Sequence, residues 1–291
     1  MIIIKFIDLF AGIGGFRLGM EAAGHEAVGW CEIDKFAQES YRSIYDTEGE
    51  WFHNDITTVQ PGGMPEFDCI TGGFPCQSFS IAGKRGGFED TRGTLFFEIM
   101  RIARARKPEY LLLENVKGLL NHNGGATFGT IINTMAELGY SVEWQVLNSK
   151  DFGVPQNRER VFIIGHLGGF GGRQVFPIRK VSKRTNEKIN KSFAVRNYEK
   201  WRKKDDGISN CLDASYYKFP DNHGARTGII QNRKVRKLTP KECWRLQGFP
   251  DWAFEKAQKV NSDTQLYKQA GNSVTVNVIY EIAKRLGVDN N

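Results

Sequence analysis

The sequence predicts an α/β fold, an open sheet of the nucleotide-binding type that carries a smaller, basic second domain. Three observations predict it. A β-branched apolar run, Ile2 to Leu9, ends in a glycine-rich turn and passes into a helical pattern. Two further apolar runs, Phe67–Ile70 and Tyr110–Leu113, each end in a short polar motif. Such exits lie at the carboxyl edge of an open α/β sheet, where ligands bind. Finally, the composition changes after a glycine cluster at Gly168–Gly172, which reads as a linker.

Composition sets the outer bounds. A chain of 291 residues, 40% hydrophobic and 25% charged, can bury a sizeable core as one large domain plus a smaller one. A net charge of +7 suits a polyanionic partner. The five cysteines (31, 69, 76, 211 and 243) are odd in number and show no Cys-x-x-Cys spacing, so they read as reduced intracellular thiols. Zinc and a disulfide framework are not indicated. Met1–Ile4 is too short for a signal h-region, and no apolar run approaches the ~18 residues of a membrane span.

Taken in order, the first strand runs into Asp8–Gly15, and the helix follows from Phe16. The glycines allow a tight turn and let a ligand lie against the backbone at a helix N-terminus. A dinucleotide fingerprint wants glycine at position 17; arginine stands there, which argues against a nicotinamide cofactor. Ala27–Cys31 is the second strand. Glu32 at its exit, about 20 residues past the turn, is placed for ribose hydroxyls. Residues 34–44 read as a helix. The Phe67–Ile70 strand leads into Thr71–Ser80, where Pro75 fixes the chain just before Cys76. Residues 80–93 combine four glycines with Lys84, Arg85 and Arg92, the profile of a basic lid over a substrate. Thr94 caps a helix to Arg104. The Tyr110–Leu113 strand ends in Glu114-Asn115-Val116. A carboxylate there, near a positioned thiol, can hydrogen-bond a ring nitrogen while sulfur attacks the ring. A helix over 126–138 and a strand over 141–147 follow. Then Asp151–Arg160 enters a buried strand, Val161–Gly165. Arg158 and Arg160, two residues apart on an extended segment, point the same way and present fixed forks of donors.

From Arg173 to Lys204 there are 12 Lys or Arg against two acids, interleaved with Phe176, Phe193, Tyr198 and Trp201, as on a nucleic-acid surface. Cys211 reads as a small buried apolar residue. Thr239-Pro240 with Glu242 forms a capping box. A turn at Gly271-Asn272-Ser273 precedes a final helix to Leu286, which packs back on the first domain.

Pro75-Cys76-Gln77, Glu114-Asn115-Val116, Gln156-x-Arg158-x-Arg160, Arg236–Pro250 and Gln265–Val274 stand in the order found in the cytosine-C5 DNA methyltransferases. The chain resembles that family from residue 6 to about 285. The resemblance implies an S-adenosylmethionine-dependent methyltransferase (Rossmann-like) sheet with a small target-recognition domain. Residues 1–167 with 262–291 would be the catalytic domain, and 168–261 the recognition domain and hinge. It implies S-adenosyl-L-methionine held by Phe10, Ala11, Gly12, Ile13, Gly14, Gly15, Glu32, Ile33, Asp55, Ile56, Pro75, Leu95, Asn272, Ser273 and Val274. Phe10 would stack on the adenine, Ile33 would pack on it, and Asp55 would receive its amino group. Cys76, Glu114, Arg158 and Arg160 would be catalytic: Cys76 adding to cytosine C6, Glu114 bonding N3 and the exocyclic amine, Arg160 holding O2. Gln77, Lys84, Arg85 and Arg92 would touch DNA. Cys211 replaces a threonine usual in the family, so a phosphate contact by that hydroxyl is lost. The partner implied is double-stranded DNA, bound by a monomer in the cytoplasm. Three readings compete: a transfer-RNA methyltransferase of the same superfamily, a catalytically silent DNA-binding protein, and a nicotinamide oxidoreductase. The recognition sequence and the base that removes the C5 proton are not legible.

Overall fold

The structure is a computed structural model that describes residues 2–75, 95–169, 171, 174–181, 193–197, 200–219 and 226–288. Its strands are β1 (Lys5–Leu9), β2 (Glu26–Cys31), β3 (Trp51–His53), β4 (Cys69–Gly73), β5 (Tyr110–Val116), β6 (Tyr140–Asn148), β7 (Gln156–Asn157), β8 (Glu159–Leu167), β9 (Phe193–Asn197), β10 (Lys200–Lys203), β11 (Ser209–Asn210), β12 (Thr227–Gln231) and β13 (Lys234–Arg236). Its helices are α1 (Gly15–Ala22), α2 (Lys35–Ile44), α3 (Leu95–Arg106), α4 (Ala126–Glu137), α5 (Pro240–Leu246), α6 (Asp251–Ala257), α7 (Asp263–Asn272) and α8 (Val276–Ala283).

The main sheet has the order β3-β2-β1-β4-β5-β8-β6. β1 to β5 are parallel, and β8 alone runs against its neighbours β5 and β6. Order reverses between β1 and β4, which opens a crevice at their carboxyl ends. Alternate residues along each strand feed opposite cores. Leu111 and Leu113 pack with Ile7, Leu9, Phe96 and Met100. Tyr110 and Leu112 pack with Phe6, Met20, Ile279 and Ile282 on the other face. The first four residues of β5 are buried on both sides, which explains their unbroken apolar run.

Two strands differ from expectation at their starts. β1 begins at Lys5, where pairing to Glu26 begins, so Ile2 and Ile3 lie outside the ladder and are exposed. β4 begins at Cys69 and continues through Gly72 and Gly73. A Cβ on Gly72 would lie 2.9 Å from the Leu9 carbonyl oxygen, so this glycine serves close strand packing, not ligand approach.

A second, antiparallel sheet has the order β10-β9-β12-β13 and contributes Phe193 and Ile229 to a core shared with Leu212, Tyr216 and Leu238. A short parallel pair, β7 with β11, ties it to the main sheet. The predicted capping box at Thr239, Pro240 and Glu242 forms at the start of α5. α6 and α7 then return to α2: Lys256 Nζ donates to Ile44 O at 3.0 Å and Ser40 Oγ to Gln269 Oε1 at 3.0 Å. α8 lies across α1, where a Cβ on Gly19 would overlap Ile279. Among the described residues no helix is long and apolar enough to cross a membrane.

Candidate active site

A cavity of about 620 Å³ opens at the carboxyl ends of β1, β2, β4 and β5. One wall is the β1–α1 turn. Phe10, Gly12 and Gly14 all take left-handed backbone conformations there, at φ 54°, 55° and 77°. A bulky residue held in that region marks a constrained functional turn. The three glycines divide the work. Gly12 faces open space, a Cβ there meeting nothing closer than Phe10 O at 3.9 Å. Gly14 and Gly15 instead make room for protein, Tyr45 and the Ser273–Val274 segment respectively. Glu32 closes the rim. Its Oε2 accepts from Gly12 N at 2.8 Å and its Oε1 from Asp34 N at 2.7 Å. Burial pushes its carboxyl above the ordinary range.

The opposite wall is Gly271–Val274, at the junction of α7 and α8. Gly271 is required because the Asp213–Ala214 backbone occupies the place of a side chain. The floor is where the chemistry-bearing groups meet. Arg160 Nε lies 2.9 Å from Glu114 Oε1, and both side chains are largely buried. This pairing follows from topology. Glu114 is near the end of β5, while the antiparallel β8 begins at the same edge and sets Arg160 opposite Val116. Gly73 is the ladder partner of Glu114, and a Cβ there would stand 3.1 Å from Glu114 Oε2. Asn115 Nδ2 donates to Phe74 O at 2.8 Å, which fixes the chain that leads to Pro75 at the cavity edge. Cys76, Gln77, Lys84, Arg85 and Arg92 lie outside the described residues.

Arg158 has a different setting from Arg160. It is 3% exposed. Its Nη1 donates to Leu212 O at 3.0 Å and Cys211 Sγ at 3.3 Å, and its Nη2 to Gly271 O at 3.1 Å and Ser273 O at 2.8 Å. It therefore staples the 211–212 segment and the 271–274 wall to the start of β8, and its burial depresses its pKa. Arg158 also lines the cavity, but its donors are engaged by these internal bonds, which differs from the catalytic role expected of it. Cys211 corrects a second expectation: it is exposed, with its sulfur also 3.8 Å from Arg160 Nη2.

Most residues expected to hold a cofactor line the cavity: Phe10, Ala11, Gly12, Ile13, Gly15, Glu32, Pro75, Asn272, Ser273 and Val274. Gly14, Ile33, Asp55, Ile56 and Leu95 do not. Ile33 is 65% exposed beside Glu32. Asp55 caps a short 3-10 turn, accepting from Thr57 N and Oγ1, and these bonds hold its carboxyl below the usual range. Ile56 is a core residue and Leu95 begins α3. Sequence reasoning missed Asp34, Ala37, Lys268 and Gln269, which also line the cavity. The last two stand within four residues of Gly271, a signal that was available. Among the described residues no group of His, Cys, Asp and Glu is arranged to hold a metal.

The profile of the C-5 cytosine-specific DNA methylases matches this chain over residues 4–210 and 173–288. The chain belongs to that family. The methylase is 39% identical to the Type II methyltransferase M.HhaI of Haemophilus parahaemolyticus, across 98% of this chain and 94% of that one. M.HaeII of Haemophilus aegyptius is 43% identical across 96% and 91%. M1.ScrFI of Lactococcus lactis subsp. cremoris is 40% identical across 97% and 77%. The methylase is thus a DNA (cytosine-5-)-methyltransferase. Among solved structures, the Entamoeba histolytica methyltransferase EhMeth shares the fold at a TM-score of 0.73 with 19% identity, across 98% of both chains. The expectation of a Rossmann-like methyltransferase sheet therefore holds, and the nicotinamide reading falls.

Proposed function

We propose that the methylase binds S-adenosyl-L-methionine in this cavity and methylates C5 of a cytosine turned out of double-stranded DNA, at one short target sequence. The observation that carries this is the Glu114–Arg160 pair on the cavity floor, one ladder step from the strand that leads to Cys76. The residues present fit the cofactor. Gly12 leaves its backbone open to the cavity, Glu32 offers acceptors at the rim, and Phe10 supplies an aromatic face. When bound, S-adenosyl-L-methionine supplies an electrophilic methyl group.

The chain's own residues would make C5 able to accept it. The thiolate of Cys76 adds to C6, and the electron pair of the C5–C6 bond moves into an enamine that is nucleophilic at C5. Glu114 holds N3 and the exocyclic amine, and Arg160 holds O2, so the charge that develops on the ring is met by fixed partners. After methylation a base takes the C5 proton and Cys76 leaves from C6, which restores the thiolate and the aromatic ring. Bases in a duplex stack cannot reach such a pocket, so the target must flip out. The β9, β10, β12 and β13 sheet is the recognition surface in this scheme, with Gln77, Lys84, Arg85 and Arg92 gripping DNA from the other side.

Incubation with unmodified genomic DNA and labelled S-adenosylmethionine, followed by bisulfite mapping, tests the proposal. 5-Methylcytosine confined to one motif, lost in Cys76→Ala while cofactor binding persists, is the expected result. Substantial methylation by Cys76→Ala would overturn the covalent scheme. Label in transfer RNA and none in duplex DNA would overturn the substrate.

A further inference from the structure

Tyr45 stands behind the Phe10–Gly15 turn, on the side away from the cavity. It is the C-cap residue of α2 and is 8% exposed. Its hydroxyl donates to Gly14 O at 2.8 Å and lies 3.2 Å from Ile13 O. Gly14 O also accepts from Leu18 N at 2.9 Å, so the same oxygen begins α1. The Tyr45 ring occupies the space a Cβ on Gly14 would need.

The tyrosine is itself held. The Arg17 guanidinium lies 4.6 Å above its ring centroid. Arg17 is anchored to Glu50 through two bonds of 2.8 and 2.7 Å, to Glu21 at 2.8 Å and to Asp46 O at 3.1 Å. Thus the residue that breaks the dinucleotide fingerprint serves as a brace. At the other end of α2, Asp34 caps the helix and its amide donates to Glu32, which in turn accepts from Gly12 N. The two ends of one helix therefore hold the turn, Glu32 at Gly12 and Tyr45 at Ile13 and Gly14. Three residues of this turn are left-handed, one of them phenylalanine, and such a backbone persists only when its surroundings over-determine it. A turn that keeps its shape without ligand binds with less ordering cost.

We propose that Tyr45 is a positioning residue for the methyl donor, one that presets the Phe10–Gly15 turn in the shape that receives it. This rests on the assignment of the cavity to S-adenosylmethionine. Tyr45 touches no substrate and acts through the turn. Because the turn is common to both forms of the cofactor, Tyr45 strengthens binding of S-adenosylmethionine and S-adenosylhomocysteine alike.

Tyr45→Phe keeps the ring and removes only the hydroxyl. Calorimetry on the full chain should show both Kd values rising about tenfold, by a common factor, with kcat at saturating cofactor within about twofold of wild type. Binding of a duplex oligonucleotide without cofactor should not change. Tyr41→Phe removes another buried hydroxyl of the Arg17 network that does not reach the turn, and should leave both Kd values unchanged. A second readout needs no variant: in wild type without ligand, the hydrogen-bonded amides of Gly12, Gly14 and Leu18 should exchange slowly, and cofactor should slow them by less than tenfold. Unchanged Kd values in a folded Tyr45→Phe, or amides that exchange freely until cofactor arrives, would overturn the inference. A wild-type protein that binds neither form of the cofactor would instead overturn the assignment of the cavity.

Discussion

Asp8 gives the sharpest test of the physics under the Phe10–Gly15 turn. It is fully buried at the end of β1, where its Oδ1 accepts from Thr71 Oγ1 at 3.0 Å and its Oδ2 has no hydrogen-bond partner among the described residues. Burial, helped by the nearby Glu32 charge and opposed by Thr71 and Arg17, raises its carboxyl from 3.8 to about 8. The sign follows from linkage. The folded protein keeps a proton that the unfolded chain releases above pH 3.8, so stability is fullest below that pH and declines until about pH 8. Each pH unit in the window costs about 1.36 kcal/mol. Between pH 5 and pH 8 the loss from this one group is therefore on the order of 4 kcal/mol. Asp8→Asn keeps the shape and imitates the protonated form at every pH. Urea unfolding of both proteins from pH 5 to pH 9 should show the variant gaining by about that amount on wild type as pH rises. Parallel stability curves would refute a buried, neutral Asp8.

The two arginines should separate in a paired experiment. Arg158→Met removes the guanidinium that donates to the carbonyls of Leu212, Gly271 and Ser273 and should cost roughly 3 to 5 kcal/mol, seen as a large fall in Tm or loss of soluble protein. Arg160→Met should stay folded yet lose activity by on the order of a hundredfold, read as kcat in a methyl-transfer assay. Thr239→Ala removes the acceptor for Glu242 N and should cost about 1 kcal/mol in urea unfolding with no change in kcat. Gly14→Ala combines a φ of 77° with overlap on the Tyr45 ring; it should destabilise by at least about 2 kcal/mol, and a wild-type urea midpoint would contradict the close approach.

Strands and helices were legible where their signals are local. The apolar run of β5, the Thr239 capping box and the β1 glycine turn follow from residues adjacent in sequence. The Glu114–Arg160 pair was legible only through a family motif, because the reversal of β8 that joins them is a tertiary fact. The same limit explains the errors. Arg158 and Arg160 look alike as a pair two residues apart, yet one is enclosed by the 212 and 271–273 carbonyls from distant parts of the chain. Cys211 has the composition of a core residue but stands at an edge between the sheets, beside Arg160. The glycines of the first turn read in the sequence as room for ligand. Two of the three yield to Tyr45 and to Ser273–Val274, partners 31 and more than 250 positions away in the sequence.

The meeting of Gly15 with Ser273 and Val274 has a consequence for synthesis. The cavity is lined by residues between 10 and 160 and again between 268 and 274, with the whole second sheet between them. A ribosome that has finished the main sheet has therefore made an incomplete pocket. A nascent or prematurely ended chain without its second sheet also lacks the wall that closes the cavity. The order of the elements thus couples the two: a truncation that removes the second sheet also removes the wall that completes the cavity.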